Sequence, residues 1–129
     1  MPNVTIEVRK RYDRTQEEGI IDAVHEALLE AIRTPDWDRT IRLVVHEPHR
    51  FAVPPGRDDR YTLVEIDLFS GRSLEAKKNL YRALVRNLGK LEIPADHVKI
   101  LLRESALENW GVRGGVPASE VDLGFNVEV

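Results

Sequence analysis

The sequence predicts an α+β fold in which a β-α-β unit occurs twice in tandem, so that two helices cover one four-stranded sheet. Three observations indicate this fold. Alternating apolar residues flank each helical segment, a capping residue begins each helix, and the two halves repeat at an offset of about 60 residues. Because parallel strands joined by a helix form right-handed crossovers, both helices should lie on the same face of the sheet. The 129 residues suit one such domain.

The first unit is predicted over residues 1–47 and begins with a strand at once. Asp13 can cap the helix that follows, and Gln16 completes a capping box. Apolar residues then recur at helical spacing until the break before Pro35. A second strand is expected over residues 40–47. The residues whose alternation predicts the first strand are Val4, Ile6 and Val8.

The second unit, over residues 61–104, repeats the first. Ser73 corresponds to the first helix cap, and the helix is expected to carry Leu91 and to stop at Pro94. Strands are expected at both ends of the unit. Between the two units, residues 48–60 are rich in proline and are predicted to form a loop.

The tail, residues 105–129, differs from both units. It is too rich in glycine for an ordinary core element, and it ends in a short alternating pattern on Phe125, Val127 and Val129. That final strand has no evident partner within the domain, while the open edges of the sheet need covering. We therefore expect the tail strand to pair with a neighbouring subunit.

Composition excludes several classes of function. The formal net charge of −3 and the interleaved basic residues argue against nucleic-acid binding. The absence of cysteine excludes disulfides and thiolate chemistry, and a cytoplasmic location is the simplest interpretation. No apolar run approaches the roughly 20 residues of a membrane span. The four histidines show no metal-ligand spacing, and we expect no cofactor.

Several motifs together resemble one known family. They are Pro2 at the first strand, Ala23-Val24-His25 in the first helix, Pro35-Asp36-Trp37-Asp38-Arg39, Gly71-Arg72-Ser73 before the second helix, and Asn109-Trp110-Gly111 in the tail. With the doubled unit, they resemble the long-subunit type of the tautomerase superfamily, which includes malonate semialdehyde decarboxylase and cis-3-chloroacrylic acid dehalogenase. The resemblance covers essentially the whole chain. It implies a homotrimer that uses its amino-terminal proline as the catalyst.

Pro2 can do this chemistry only if Met1 is removed. It then presents a secondary amine on a rigid ring, and burial favours the neutral form, which can take a proton and return it. With Met1 attached, the nitrogen of Pro2 is an amide and cannot act as a base. The alternative is that Pro2 merely begins a strand, where its missing N–H is tolerated.

Arg72 is the expected carboxylate-binding residue. It precedes a helix N-terminus, which attracts anions, and a guanidinium can hold a carboxylate through two parallel bonds. The resemblance assigns the same role to this arginine. The decarboxylase and the dehalogenase also use a second arginine where this chain has Phe69 or Ser70, so the departure counts against both of those reactions.

Two further residues leave alternatives open. The resemblance places Asp38 in the active site, where it could orient water or polarise a carbonyl, but Asp38 could equally cap a turn. His25 stands where the relatives also have a histidine, and it could equally be a partly buried residue without a catalytic role.

The tail supplies the remaining candidates. Trp110 in a glycine-rich segment is typical of a pocket wall, Asn109 could bond a carbonyl or enol oxygen, and Arg113 could add a second charge. The alternative is a tail ordered only for trimer packing. The dehalogenase resemblance puts a water-activating glutamate near Asn109, and an asparagine cannot replace it as a base.

The sequence therefore predicts a trimeric keto-enol tautomerase for small 2-oxo or 2-hydroxy-dienoic acids. Pro2 and Asp38 are the expected catalytic residues. The expected substrate-binding residues are Arg72, Asn109, Trp110 and Arg113. Decarboxylation of malonate semialdehyde, or a dehalogenase or hydratase activity, is the alternative within enzymes. A non-catalytic ferredoxin-like binding module is the alternative outside them.

Overall fold

The structure, a computed structural model, describes residues 2–128. Met1 and Val129 lie outside the described residues. The removal of Met1, on which the chemistry of Pro2 depends, and the last residue of the predicted tail strand therefore lie outside them too. In chain order the main elements are β1 (Asn3–Val8), α1 (Arg14–Ile32), β2 (Thr40–Val45), β3 (Thr62–Phe69), α2 (Leu74–Gly89), β4 (Val98–Ser105), β5 (Gly111–Val112) and β6 (Val116–Pro117).

The first four strands form one sheet in the order β2-β1-β3-β4. Strands β1 and β2 run parallel, as do β3 and β4, whereas the central pair β1 and β3 runs antiparallel. Each parallel pair is joined through one helix, so the tandem β-α-β prediction is confirmed. Among residues 2–128, no helix is both long and apolar enough to cross a membrane.

The main core lies between the sheet and the two helices. The alternating residues predicted for β1 are fully buried, and they pack with residues from both helices in one cluster. The helices also contact each other, because the Asn87 side-chain amide donates a 3.1 Å hydrogen bond to the main-chain oxygen of Ala23. The helical residues of this core include Ile20, Val24, Leu28, Leu80, Leu84 and Leu88.

Both helices begin where their caps were predicted. Asp13 accepts a hydrogen bond from the Gln16 main-chain nitrogen at 2.8 Å, and the Gln16 side chain accepts one from the Asp13 nitrogen at 2.9 Å. Ser73 accepts a 3.1 Å bond from the nitrogen of Ala76 at the start of α2. These bonds satisfy main-chain donors that the first helical turn leaves without partners.

The predicted end of α2 was wrong. The helix ends at Gly89 and does not continue to Pro94, so Leu91 lies in a turn and is 38% exposed. Glu92 has a left-handed φ of 68°, and this reverses the chain before β4. The main-chain nitrogen of Ile93 then returns to the oxygen of Leu88 at 3.3 Å. The turn therefore begins before the proline that was expected to stop the helix.

The tail forms a second, smaller core, contrary to the expectation that it is no core element. Phe69, Val112 and Ala118 are buried together, and Phe125 and Val127 pack against them. Strands β5 and β6 pair as a short antiparallel hairpin. Residues 121–128 carry no strand in the single chain. Pairing of a tail strand with a neighbouring subunit stays a prediction.

Four strand ends meet at one end of the sheet, which we call the site end. Asn3 at the start of β1 pairs with Thr40 at the start of β2 and with Asp67 near the end of β3. Phe69 and Ser105 end the parallel strands β3 and β4 side by side. The fold thereby brings together residues that are far apart in the sequence.

Candidate functional site

Pro2 is buried at the site end, immediately before β1. It lines a cavity of about 180 Å³ together with Asn3, Thr40, Trp110, Gly111 and Val112. Continuing the antiparallel register by one residue beyond Asn3 and Asp67 places Pro2 opposite Leu68. The proline ring therefore occupies a fixed position beside an open space.

The indole of Trp110 forms a wall of this cavity and is held at two points. Its Nε1 donates a 2.8 Å hydrogen bond to the Oγ of Ser105. Its ring meets the ring of Phe69 edge to face, with centroids 4.8 Å apart. The same Phe69 ring stacks on Phe125 from the tail, at 6.5 Å. An aromatic ring held in this way presents a fixed apolar surface to its side of the cavity.

Arg72 is bonded to one member of this aromatic pair, Phe69. It is only 6% exposed, and its Nη1 donates a 3.0 Å hydrogen bond to the main-chain oxygen of Phe69. Within residues 2–128, its Nε and Nη2 atoms are buried and have no hydrogen-bond partner. Burial lowers the pKa of this guanidinium, although the nearby Glu104 opposes the shift. A buried cation with two unsatisfied donors favours an anionic ligand.

Two other cations near this end of the sheet, Lys77 and Arg103, are paired with carboxylates. Lys77 holds Glu104 at 2.5 Å, so the carboxylate nearest to Arg72 is shared with a lysine. Arg103 is held by Glu65 at 2.7 Å and by Asp67 at 2.9 Å. Arg72 differs from these two cations in having guanidinium donors without a partner in the described chain.

Asp38 is buried at the same end, with 6% of its surface exposed. Its main-chain nitrogen donates a 3.0 Å bond to the oxygen of Pro35, which closes the turn before β2. Two residues later, Thr40 lines the Pro2 cavity. The structure thus places Asp38 beside the candidate site, on the turn that leads into it.

His25 supports that turn from the helix. Its ring is buried, and its Nε2 lies 3.1 Å from the main-chain oxygen of Asp36 and 3.2 Å from the Asp36 carboxylate. The contacts join α1 to the segment that carries Asp38. The role that the structure gives His25 is to fix this segment.

Asn109 and Arg113 do not join the cavity in the single subunit. Asn109 ends a short 3₁₀ turn, Leu107–Asn109, and its side chain is exposed. Arg113 is exposed in the β5–β6 hairpin, with a left-handed φ of 48°. Of the candidates, Pro2 and Trp110 line the cavity. Arg72 and Asp38 are buried at the same end of the sheet without lining it, and the other two candidates lie on the surface.

Residues 38–113, more than half of the chain, match the Tautomerase_2 family, described as "Tautomerase enzyme". The chain belongs to this tautomerase family. It is accordingly an enzyme of the tautomerase or decarboxylase type, and the non-catalytic alternative is wrong. The recognition of the family from the motifs at the site end is confirmed.

Relatives of this tautomerase match over nearly their full length. The probable tautomerase YusQ of Bacillus subtilis (strain 168) is 25% identical over 121 residues, which are 89% of this chain and 95% of the relative. The structure of FG41 malonate semialdehyde decarboxylase inhibited by 3-bromopropiolate is 28% identical, with a TM-score of 0.75 over 89% of this chain and 92% of that one. Native fused 4-OT shares the fold, with a TM-score of 0.84 over 95% of this chain and 99% of that one, at 17% identity.

The sequence prediction missed several residues at the cavity of this tautomerase. Asn3, Thr40 and Val112 line it, and Ser105 holds the indole that forms its wall. Asn3 and Thr40 could have been found from the predicted strand starts, because neighbouring parallel strands begin at the same sheet end. The contact of Ser105 with Trp110 has no comparable sequence signal, since it depends on how the tail turns back.

Proposed function

We propose that this tautomerase interconverts the enol and keto forms of small 2-oxo and 2-hydroxy-dienoic acids, with the amine of Pro2 as the general acid and base. The observation that carries the proposal is the cavity shared by Pro2 and Trp110, together with a buried Arg72 that is bonded to Phe69 and has two unpartnered donors. A proton carrier, an apolar wall and an anion-binding group are the parts that this reaction needs.

The proposed reaction moves one proton and needs no co-reactant. Arg72 holds the substrate carboxylate through its unsatisfied donors. The neutral amine of Pro2 takes the proton of the 2-hydroxyl group, so the O–H bond breaks and the carbonyl forms. The electrons of the carbon–carbon double bond move to the distant carbon, which then takes the proton back from Pro2. Trp110 keeps water from this path.

The proposed roles of Asn109 and Arg113 depend on how the subunits assemble. Both are exposed in the single subunit, so their bonds to a carbonyl and a carboxylate require a neighbouring subunit or a rearranged tail. Two solved structures with this fold are fused 4-OT asymmetric trimers, with TM-scores of 0.81 and 0.82. We therefore propose a homotrimer. Light scattering should give three times the chain mass of 14.7 kDa, and a monomer would contradict the proposal.

Covalent labelling tests the role of Pro2 directly. One solved structure with this fold, Pt0534, is inactivated by 2-oxo-3-pentynoate. An amine adds to the alkyne of this compound, with its proton moving to carbon, whereas an acylated Pro2 cannot react. Intact-mass and peptide mass spectrometry should find one adduct, on a chain that begins at Pro2. Labelling at another residue, or no labelling of a chain that lacks Met1, would contradict the proposal.

Decarboxylation of a 3-oxo acid is the second candidate. Buried Asp38 at the site end favours it, and so does the 28% identity to FG41 malonate semialdehyde decarboxylase. The variant Asp38→Asn keeps the side-chain shape but loses the charge. If decarboxylation is the main activity, carbon dioxide release from malonate semialdehyde should fall about 100-fold or more in this variant. If tautomerisation is the main activity, the wild type should release no carbon dioxide from this compound.

A further inference from the structure

The position of Trp110 over the cavity depends on a residue outside the cavity. Ser105 is the last residue of β4 and pairs in register with Phe69 at the end of β3. Its main-chain oxygen also accepts a 2.9 Å hydrogen bond from the nitrogen of Ser70. The hydroxyl of Ser105 is therefore carried by a strand end that is tied to the sheet on one side.

The indole of Trp110 has one polar atom, which can only donate. That atom is half-buried and donates to the Oγ of Ser105 at 2.8 Å. Without the hydroxyl this N–H would lose its protein partner, so the ring would be less restrained and could turn toward water or the cavity. The edge-to-face contact with Phe69 holds one side of the ring, and the hydrogen bond to Ser105 holds its polar edge.

The two supports of the indole come from paired residues on neighbouring strands. Phe69 contacts the ring, and Ser105 receives its N–H. Strand β3, which carries Phe69, also pairs with β1, which Pro2 precedes. The distance from the indole to Pro2 is thus set through the sheet and not through the tail alone.

We propose that Ser105 is a positioning residue, whose hydroxyl holds Trp110 at the tilt that shapes the substrate cavity. The inference rests on the proposed function, because the cavity matters only if Pro2 acts within it. Ser105 need not touch the substrate, so its loss should weaken substrate binding without changing the proton chemistry of Pro2.

Kinetics on phenylenolpyruvate test the proposal. Ser105→Ala should raise KM about three- to ten-fold, the effect of one hydrogen bond, and should leave the pH profile of kcat unchanged. Ser105→Thr keeps the hydroxyl and should restore KM. Ser119→Ala, at an exposed serine of the tail, is the matched control and should not alter KM. In a Trp110→Phe background, which has no N–H, adding Ser105→Ala should have no further effect.

The indole N–H resonances give a second reading that does not depend on activity. The chain has two tryptophans, and Trp37 is 67% exposed, so its signal is an internal control. In Ser105→Ala, the Trp110 signal should shift and exchange faster with water, while the Trp37 signal stays in place. An unchanged Trp110 signal would overturn the hydrogen bond itself. A changed signal with an unchanged KM would overturn the positioning role of Ser105. Proton transfer by Pro2 is tested separately, by covalent labelling with 2-oxo-3-pentynoate.

Discussion

The Nη1 of Arg72 donates a 3.0 Å hydrogen bond to the main-chain oxygen of Phe69, the residue whose ring packs against Trp110. One of the guanidinium donors is thereby used to fix the arginine against the aromatic wall. The Nε and Nη2 donors are left without partners in the described chain. Arg72 and the aromatic wall of the cavity are thus joined through Phe69.

Replacing Arg72 should mainly lower kcat/KM, because the substrate carboxylate is held less tightly. Arg72→Ala removes two charge-assisted hydrogen bonds, so kcat/KM for a 2-oxo acid should fall about 100-fold or more. Arg72→Lys keeps the charge without the paired geometry, and the loss should be intermediate. Arg82→Ala, at an exposed position of α2, is the control. A loss in Arg72→Ala no larger than in the control would mean that another residue holds the carboxylate.

Gly71 should be sensitive to substitution because the tail crosses it closely. Its φ is 130°, and an added Cβ would lie 3.1 Å from the main-chain oxygen of Val127. Gly71→Ala should therefore cost about 1–3 kcal/mol in unfolding free energy, and it should raise KM because Arg72 is the next residue. Gly89→Ala is the matched control, since nothing lies within 4 Å of its added Cβ. Equal stability of the two variants would contradict both the positive φ of Gly71 and the close approach of the tail to it.

Much of the fold was predictable because helix caps and strand alternation depend on residues that are close together in the sequence. The caps at Asp13 and Ser73 depend on residues only three positions away, and the structure has both. The alternation in β1 correctly identified its buried face. The end of α2 could not be predicted as well, because its turn depends on the left-handed φ of Glu92 and not on Pro94.

The site was less predictable because its parts come from separate elements. Pro2, Arg72 and Trp110 carried motif signals, and the structure places all three at one sheet end. Arg113 had a suitable charge, but the hairpin turns it to the surface. The support from Ser105 depends on the path of the tail after β4, and local spacing does not encode that path.

Acid should destabilise the fold partly through Asp67. Hydrogen bonding by Arg103 holds the pKa of Asp67 below its usual value, although burial opposes this. The unfolded chain therefore binds a proton more readily at this carboxyl group. The stabilisation is present above about pH 4 and is lost as the pH falls through the lower pKa of the folded state.

The variant Asp67→Asn tests this pH dependence. Urea unfolding is measured at fixed protein concentration from about pH 7 to pH 3. The variant should be less stable near neutrality, and the difference in unfolding free energy between the two proteins should shrink in acid. Glu120→Gln, at an exposed tail position, is the control. If the difference in unfolding free energy between the wild type and Asp67→Asn stays constant over the whole pH range, this role of the carboxylate is refuted.

The central claim is that the amine of Pro2 carries the proton. Its most direct test is the rate of phenylenolpyruvate ketonisation by Pro2→Ala, with removal of Met1 confirmed by mass spectrometry in both proteins. Pro55→Ala, in an exposed part of the loop between β2 and β3, controls for the loss of a proline ring. We expect kcat/KM to fall at least about 100-fold in Pro2→Ala and to stay unchanged in Pro55→Ala. An unchanged rate in a folded Pro2→Ala protein that lacks Met1 would contradict it.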